Sequence, residues 1–166
     1  MLRCWQARVG GEHVTGRTVS KSWFINLENL FERAVRRALQ AAFGKSAIVG
    51  PALSDVRVFP DLSSRYPANT DVVIRHETGD VFIADAKYKN LSSFSWPEAS
   101  EVQEILTHAS AYRAKKAFLI YPAETLWKRR IGVSAGNCEL WALGLRLARL
   151  AEDTTDAMRK VANFPA

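Results

Sequence analysis

Asp71-Val72-Val73-Ile74-Arg75 and Val81-Phe82-Ile83-Ala84-Asp85-Ala86-Lys87-Tyr88 are two short apolar-rich runs separated by a segment that contains Glu77-Thr78-Gly79-Asp80. β-Branched and aromatic residues suit a pleated, half-buried backbone, and Gly beside Thr and Asp suits a tight turn. The stretch therefore reads as a β-hairpin over 71–75 and 81–88. Side chains alternate along a strand, so Asp85 and Lys87 share one face and Ala86 points to the other. An acid and an ammonium fixed side by side at a strand end suit phosphodiester hydrolysis. Carboxylate oxygen is the hard ligand that Mg²⁺ prefers. A bound metal polarises a phosphoryl group and acidifies its water. Lys87 can orient that water or neutralise charge developing on phosphate. The backbone carbonyl of Ala86 is a further candidate ligand.

A second carboxylate is needed, and Asp71 stands at the head of the first arm. Its face depends on register. A two- or four-residue loop centred on Thr78-Gly79 pairs Asp71 with Ala86 and turns it away from Asp85. An odd loop, such as one of three residues, or a bulge brings it to the side of Asp85 and Lys87. The site thus predicts an odd loop or a bulge. A third acid comes from upstream, where Glu28 and Glu32 lie one helical turn apart on a polar stripe with Arg36. From spacing alone, Glu32–Arg36 is the better read as a surface pair.

Outward from the hairpin, Leu27, Leu30, Phe31, Ala34, Val35, Ala38, Leu39, Ala42 and Phe43 recur at helical spacing. They predict a helix over 23–43, with Asn26 as candidate N-cap and Gly44 as its stop. Ile48-Val49-Gly50-Pro51 follows, then a strand through Val56-Arg57-Val58. Residues 60–69 read as a loop. Past the hairpin, 89–97 is a loop. A helix begins at Pro97 or Ser100 and runs to Ala114, with Val102, Ile105, Leu106, Ala109 and Tyr112 inward. Ala117-Phe118-Leu119-Ile120-Tyr121 is a buried strand closed by Pro122. Glu139–Leu145 is a last strand, and 147–163 a helical tail. The order implies an α/β fold with a central mixed β-sheet flanked by helices. We expect one domain over 1–166, its core at about 23–145, with 1–22 and 147–166 peripheral.

The chain's 166 residues, 48% of them hydrophobic, are ordinary for one globular domain. No run approaches the ~18 apolar residues of a membrane helix, and the N-terminus lacks a signal-peptide pattern, which predicts a cytoplasmic protein. Cys4 and Cys138 are too few for a disulfide framework or zinc cluster. The net charge of +6 suits a polyanion partner. Arg33, Arg36 and Arg37 form one basic cluster, Arg113, Lys115 and Lys116 a second, and Lys128, Arg129 and Arg130 a third. Singly each reads as solvated surface; beside a candidate site they predict a phosphate-binding face that includes Lys89, Arg36, Arg113 and Lys115.

Taken in order, Asn29-Leu30-Phe31-Glu32, Asp71-Val72-Val73-Ile74, Ile83-Ala84-Asp85-Ala86-Lys87-Tyr88-Lys89, Gln103 in a helix and Leu119-Ile120-Tyr121-Pro122 are a recognisable set. Together they resemble the PD-(D/E)xK nuclease domain of the McrC family, the endonuclease subunit of modification-dependent McrBC restriction systems. The resemblance covers roughly residues 23–122 and implies a restriction-endonuclease-like core. It implies metal roles for Asp71 and Asp85 and a catalytic role for Lys87, and favours Glu32 as the helix acid and Gln103 as a helix residue facing the site. It further implies DNA as substrate, Mg²⁺ (or Mn²⁺) as cofactor and a McrB-like GTPase motor as partner; a homodimer is also open. Three departures stand out. Thr70 occupies the place of the usual Pro before the first Asp, while Pro60-Asp61 precedes the wrong strand. His108 stands where the family often has an aromatic. McrC proteins carry a substantial N-terminal region for the motor, for which there is little room here; a fragment, a truncated gene or a stand-alone nuclease are all open. Gln103 also fits a capping box with Ser100.

Gly44-Lys45-Ser46 is no phosphate loop, since position 39, where the earlier glycine belongs, is Leu39. His13, His76 and His108 lack metal-ligand spacing. Trp23, Trp127 and Trp141 read as core or rim. The leading expectation is a Mg²⁺-dependent DNA endonuclease. Its alternatives are a silent nucleic-acid-binding or assembly module of the same fold, or a nuclease acting on RNA or branched DNA.

Overall fold

The computed structural model describes residues 25–49, 56–61 and 66–162. The expectations placed on residues 1–21, including Cys4 and His13, and on Trp23 and Gly50-Pro51 lie outside the described residues.

Helix α1 spans Leu27–Phe43, and the Asn26 side chain caps it by accepting from the Asn29 amide at 3.0 Å. Its inward face is narrower than the periodicity suggested. Phe31, Val35, Ala38 and Leu39 are buried, whereas Leu27 and Leu30 are exposed. Strand β1 is Ala47–Val49, β2 Val72–Arg75 and β3 Val81–Ala86. The strand expected at Val56–Val58 is reduced to one bridge between Arg57 and Pro67. Helix α2 is Ala99–Tyr112, followed by β4 at Lys116–Ala123, β5 at Trp127–Val133, β6 at Glu139–Arg146 and α3 at Leu150–Ala162. Strand β5 has no counterpart among the expected elements. β4 also runs past its expected end at Pro122, since pairing with β6 continues through Pro122 and Ala123.

The six strands form one sheet in the order β1-β2-β3-β4-β6-β5. β3, β4 and β6 run parallel, and the pairs β1/β2, β2/β3 and β5/β6 are antiparallel. The mixed sheet flanked by helices agrees with the expected α/β class. Alternation divides the apolar side chains between two faces. Phe82, Ala84, Phe118, Ile120, Leu143 and Leu145 meet α1 and α3 on one face. Ile83, Ala117, Leu119, Tyr121 and Leu140 meet Ile105, Ala109 and Tyr112 of α2 on the other. Helix α3 is not peripheral, because Ala157, Met158 and Val161 are buried in the first cluster, so the core runs past residue 145.

Register in the hairpin decides the site. Val72 pairs with Ala84, Val73 with Ile83, Ile74 with Phe82 and Arg75 with Val81. The His76 amide then donates to the Asp80 carbonyl at 2.8 Å, and the Gly79 amide to the His76 carbonyl at 2.9 Å. Glu77, Thr78 and Gly79 are left as a loop of odd length, with Gly79 at φ 85° supplying the left-handed residue this turn requires. Extending the register by one step sets Asp71 opposite Asp85, as the odd-loop expectation required.

At the far edge of the core, Trp127 stacks on Tyr121 with ring centroids 6.4 Å apart and lies directly over Gly144. A Cβ at position 144 would fall inside the Trp127 indole. Gly144→Ala should therefore cost about 1–3 kcal/mol by overpacking, read as a lowered urea midpoint. A midpoint equal to wild type would show that the indole moves aside freely.

Candidate active site

The acids sit where β3 ends, in a cleft of about 240 Å³ lined by Asn26, Glu28, Asn29, Glu32, Asp71, Asp85, Ala86 and Lys87. A larger groove of about 590 Å³ begins next door at Tyr88 and Lys89. It holds none of Asp71, Asp85 and Lys87, so the candidate site is the smaller cleft.

Asp71 and Asp85 are 8% and 7% exposed. Asp71 is held from two directions. Its Oδ2 accepts from the Ala86 amide at 2.7 Å, and its Oδ1 accepts from Arg36 Nη2 at 3.0 Å. Arg36 also forms an ion pair with Glu32 one helical turn back. The surface pair expected from spacing is therefore real, but Arg36 adds Asp71 to it and draws Glu32 to the rim of the cleft. Thr70, in place of the usual Pro, donates its hydroxyl to the Ala84 carbonyl at 2.9 Å and ties the start of β2 to β3. Pro60 and Asp61 are both exposed.

Lys87 Nζ lies 2.7 Å from Asp85 Oδ2 and 2.8 Å from Glu104 Oε2. Only the Glu104 contact has hydrogen-bond geometry; Asp85 Oδ2 is buried without an aligned donor. The Asp85 contact is thus an ion pair, close but off-angle. Burial, then the adjacent Asp71 charge, push Asp85 up to about 6 against the pull of Lys87. Burial, then the Glu32 carboxylate, push Asp71 up to about 6 against the Ala86 amide and Arg36. Burial opposes the Lys87 charge, but the neighbouring Asp85 and Glu104 carboxylates outweigh it and hold its pKa above the ordinary lysine value.

Several expected residues fall elsewhere. Gln103 is on the exposed side of α2. The capping box is formed by Glu98 and Glu101, not by Ser100 and Gln103. Glu104, one residue on, is the α2 side chain that reaches Lys87. Its sequence signal is positional: Glu101, Glu104 and His108 recur at helical spacing along one edge of the apolar stripe. Lys89 is engaged by Glu98 at 2.8 Å and Glu101 at 2.9 Å. Arg113 caps α2 in the left-handed region, and Lys115 pairs with Asp80 at 2.7 Å beside the hairpin turn. Lys115 and Lys116 enter β4 at the row of Phe82, four residues back from Ala86, or roughly 13 Å along the strand. Lys116 and Arg130 converge on Glu139 at that same end. The second basic cluster and Arg130 of the third therefore lie away from the acids and make no phosphate-binding face beside them.

Hard oxygen donors at Asp71 and Asp85, one of them a buried carboxylate oxygen without an aligned donor, fit a divalent cation. Among the described residues no three His, Cys, Asp or Glu side chains converge to hold a metal. Two carboxylates suit Mg²⁺, which keeps much of its water, better than a closed cage.

Residues 11–122 match the model of the family described as McrBC 5-methylcytosine restriction system component. A search of the curated proteins gave no match. Among solved structures, the chain is similar to one from Thermococcus gammatolerans, a refined half-complex from a tetradecameric assembly of McrB AAA+ hexamers with bound McrC. The TM-score is 0.61 at 14% identity, over 84% of this chain and 34% of that one. The likeness shows a shared fold. The present chain spans about a third of the length of the chain it matches.

Both acids have a folded pKa of about 6 against an ordinary 3.8. Between those values the native state holds protons that the unfolded chain has released, so stability falls as pH rises through the window. In metal-free buffer Asp85→Asn should exceed wild type in stability by roughly 1–3 kcal/mol near neutral pH. The gain should fade toward pH 3.8. Urea midpoints across that range check this; a gain that does not vary with pH would contradict it.

Proposed function

We propose that this chain, which belongs to the McrBC 5-methylcytosine restriction system component family, is a metal-dependent endonuclease module of the PD-(D/E)xK type that hydrolyses DNA phosphodiester bonds. The observation that supports this best is the hairpin register, which sets Asp71 opposite Asp85 with Lys87 on the same side. Asp71 and Asp85 would hold Mg²⁺ or Mn²⁺, with the Ala86 carbonyl and Glu32 as further oxygen donors. The metal would supply a polarised phosphoryl group and an acidified water.

The chain's own residues do the rest. The Ala86 amide fixes one oxygen of Asp71. Burial keeps both carboxylates poorly hydrated and therefore avid for a cation. Lys87 stays protonated and carries three donors on a rotatable head. One of them serves Glu104 at 2.8 Å, which leaves the head able to donate to a water or a phosphate oxygen beside Asp85. A partner of McrB type is part of the same proposal. It is supported by the family and by the bound McrC of the similar structure.

DNA cleavage by the purified chain, with Mg²⁺ and with chelator, tests the reading. Cleavage should need the metal, and Asp85→Ala and Lys87→Ala should each lower the rate by about 10²-fold or more. Wild type indistinguishable from both variants would remove the hydrolytic claim.

One observation favours a second reading, a silent module that retains the fold. Arg36 already supplies positive charge to both Glu32 and Asp71. Thermal unfolding separates the two readings. A working centre should gain stability in Mg²⁺ or Mn²⁺ by mass action, and Asp71→Asn should lose that gain. A silent module shows none in either protein.

A further inference from the structure

Glu104 has no place in the roles implied by the sequence, yet it makes the best-aligned contact to Lys87. Its Oε2 accepts from Nζ at 2.8 Å, whereas the Asp85 contact at 2.7 Å is off-angle. The helix that presents Glu104 is fixed in position. Glu98 and Glu101 form its capping box, the Tyr121 hydroxyl donates to Glu101 at 2.9 Å, and Ile105, beside Glu104, is 1% exposed in the core. Helix rotation is thereby restricted, and Glu104 is carried over the end of β3.

Charge balance gives the contact a purpose. Asp85 is one carboxylate serving two cations in the proposed reaction, a divalent metal and Lys87. With Asp85 committed to the metal, the two positive charges repel each other. Lys87 then keeps a counter-charge only from the helix side. The Glu104 side chain, 51% exposed, carries its charge at little desolvation cost. We infer that Glu104 is a positioning residue for Lys87, holding the ammonium at the cleft when Asp85 is engaged elsewhere. The inference rests on the nuclease reading for its purpose, and on the contact alone for its geometry.

The test uses the full chain and two readouts. The first is the rate at which an amine-reactive reagent labels Lys87 in metal-free protein, read by mass spectrometry. Loss of the hydrogen bond in Glu104→Ala should raise that rate about tenfold, and Glu104→Gln, which keeps an acceptor, should restore much of the protection. The second is Mg²⁺-dependent DNA cleavage. Glu104→Ala and Glu104→Gln should both lower kcat by at least about tenfold, since only the carboxylate supplies charge. DNA affinity in Ca²⁺ should stay near wild type. Alanine is a good helix former at this half-exposed position, so both variants fold. Unchanged labelling in Glu104→Ala overturns the positioning role. Faster labelling with wild-type kcat overturns its catalytic purpose. If wild type does not cleave DNA, the nuclease reading fails and the purpose with it, while labelling still decides the contact.

Discussion

Everything at the site follows from the pairing of β2 with β3. A strand places alternate side chains on opposite faces, so a one-residue slip would send Asp71 away from Asp85. The slip is prevented twice. The three residues between His76 and Asp80 close a turn that needs the left-handed Gly79. Val72 and Ile74 face one apolar layer while Val73 faces the other, so a shifted strand would exchange both sets. Thr70 and the Ala86 amide then fasten the open end of the hairpin. Two acids buried to under a tenth exposure are therefore held together by the backbone, not by attraction between their side chains.

Such a pair is unstable by itself, and the surroundings show how it is tolerated. Helix α1 brings Arg36 to Asp71, and β3 brings Lys87 to Asp85. Helix α2 approaches from the opposite face with Glu104, so acids and bases alternate along the end of the sheet. The arrangement leaves the acids under-neutralised, with both carboxyls held well above the usual range. A further positive charge beside them would relieve that cost.

The hairpin, the first helix with its Asn26 cap, and the last two parallel strands were legible because local chemistry and period agreed there. Strand β5 was not. Lys128-Arg129-Arg130 reads as a basic patch, but on an edge strand those positions alternate between solvent and a half-buried face, and Arg129 lies 5.3 Å from the Trp96 ring. Basic residues clustered in sequence also say nothing of which end of a strand they occupy. That is why Arg113 and Lys115 fell far from the acids. Glu104 was missed for a smaller reason. The helix begins at Ala99 under the Glu98–Glu101 box, and the inward edge passes through 101, 104 and 108, not 103. Asp71, Asp85 and Lys87 were legible because strand alternation leaves little freedom once the loop length is odd.

The topology also separates the elements of the cleft in time. A hairpin closed by three residues forms in about 1–10 μs. The parallel pairings of β3 with β4 and of β4 with β6 must wait for α2 and β5 to be bridged, and non-local pairing of this kind is slow. A hairpin that closes first would bring Asp71 and Asp85 together while still in water, where two charges at 4 Å repel by only about 1 kcal/mol. Arg36 and Glu104 would then arrive as the helices dock and water leaves. By that route the chain would not have to bring two desolvated anions together; it would assemble them hydrated and dry them afterwards, with their counter-charges already coming into place.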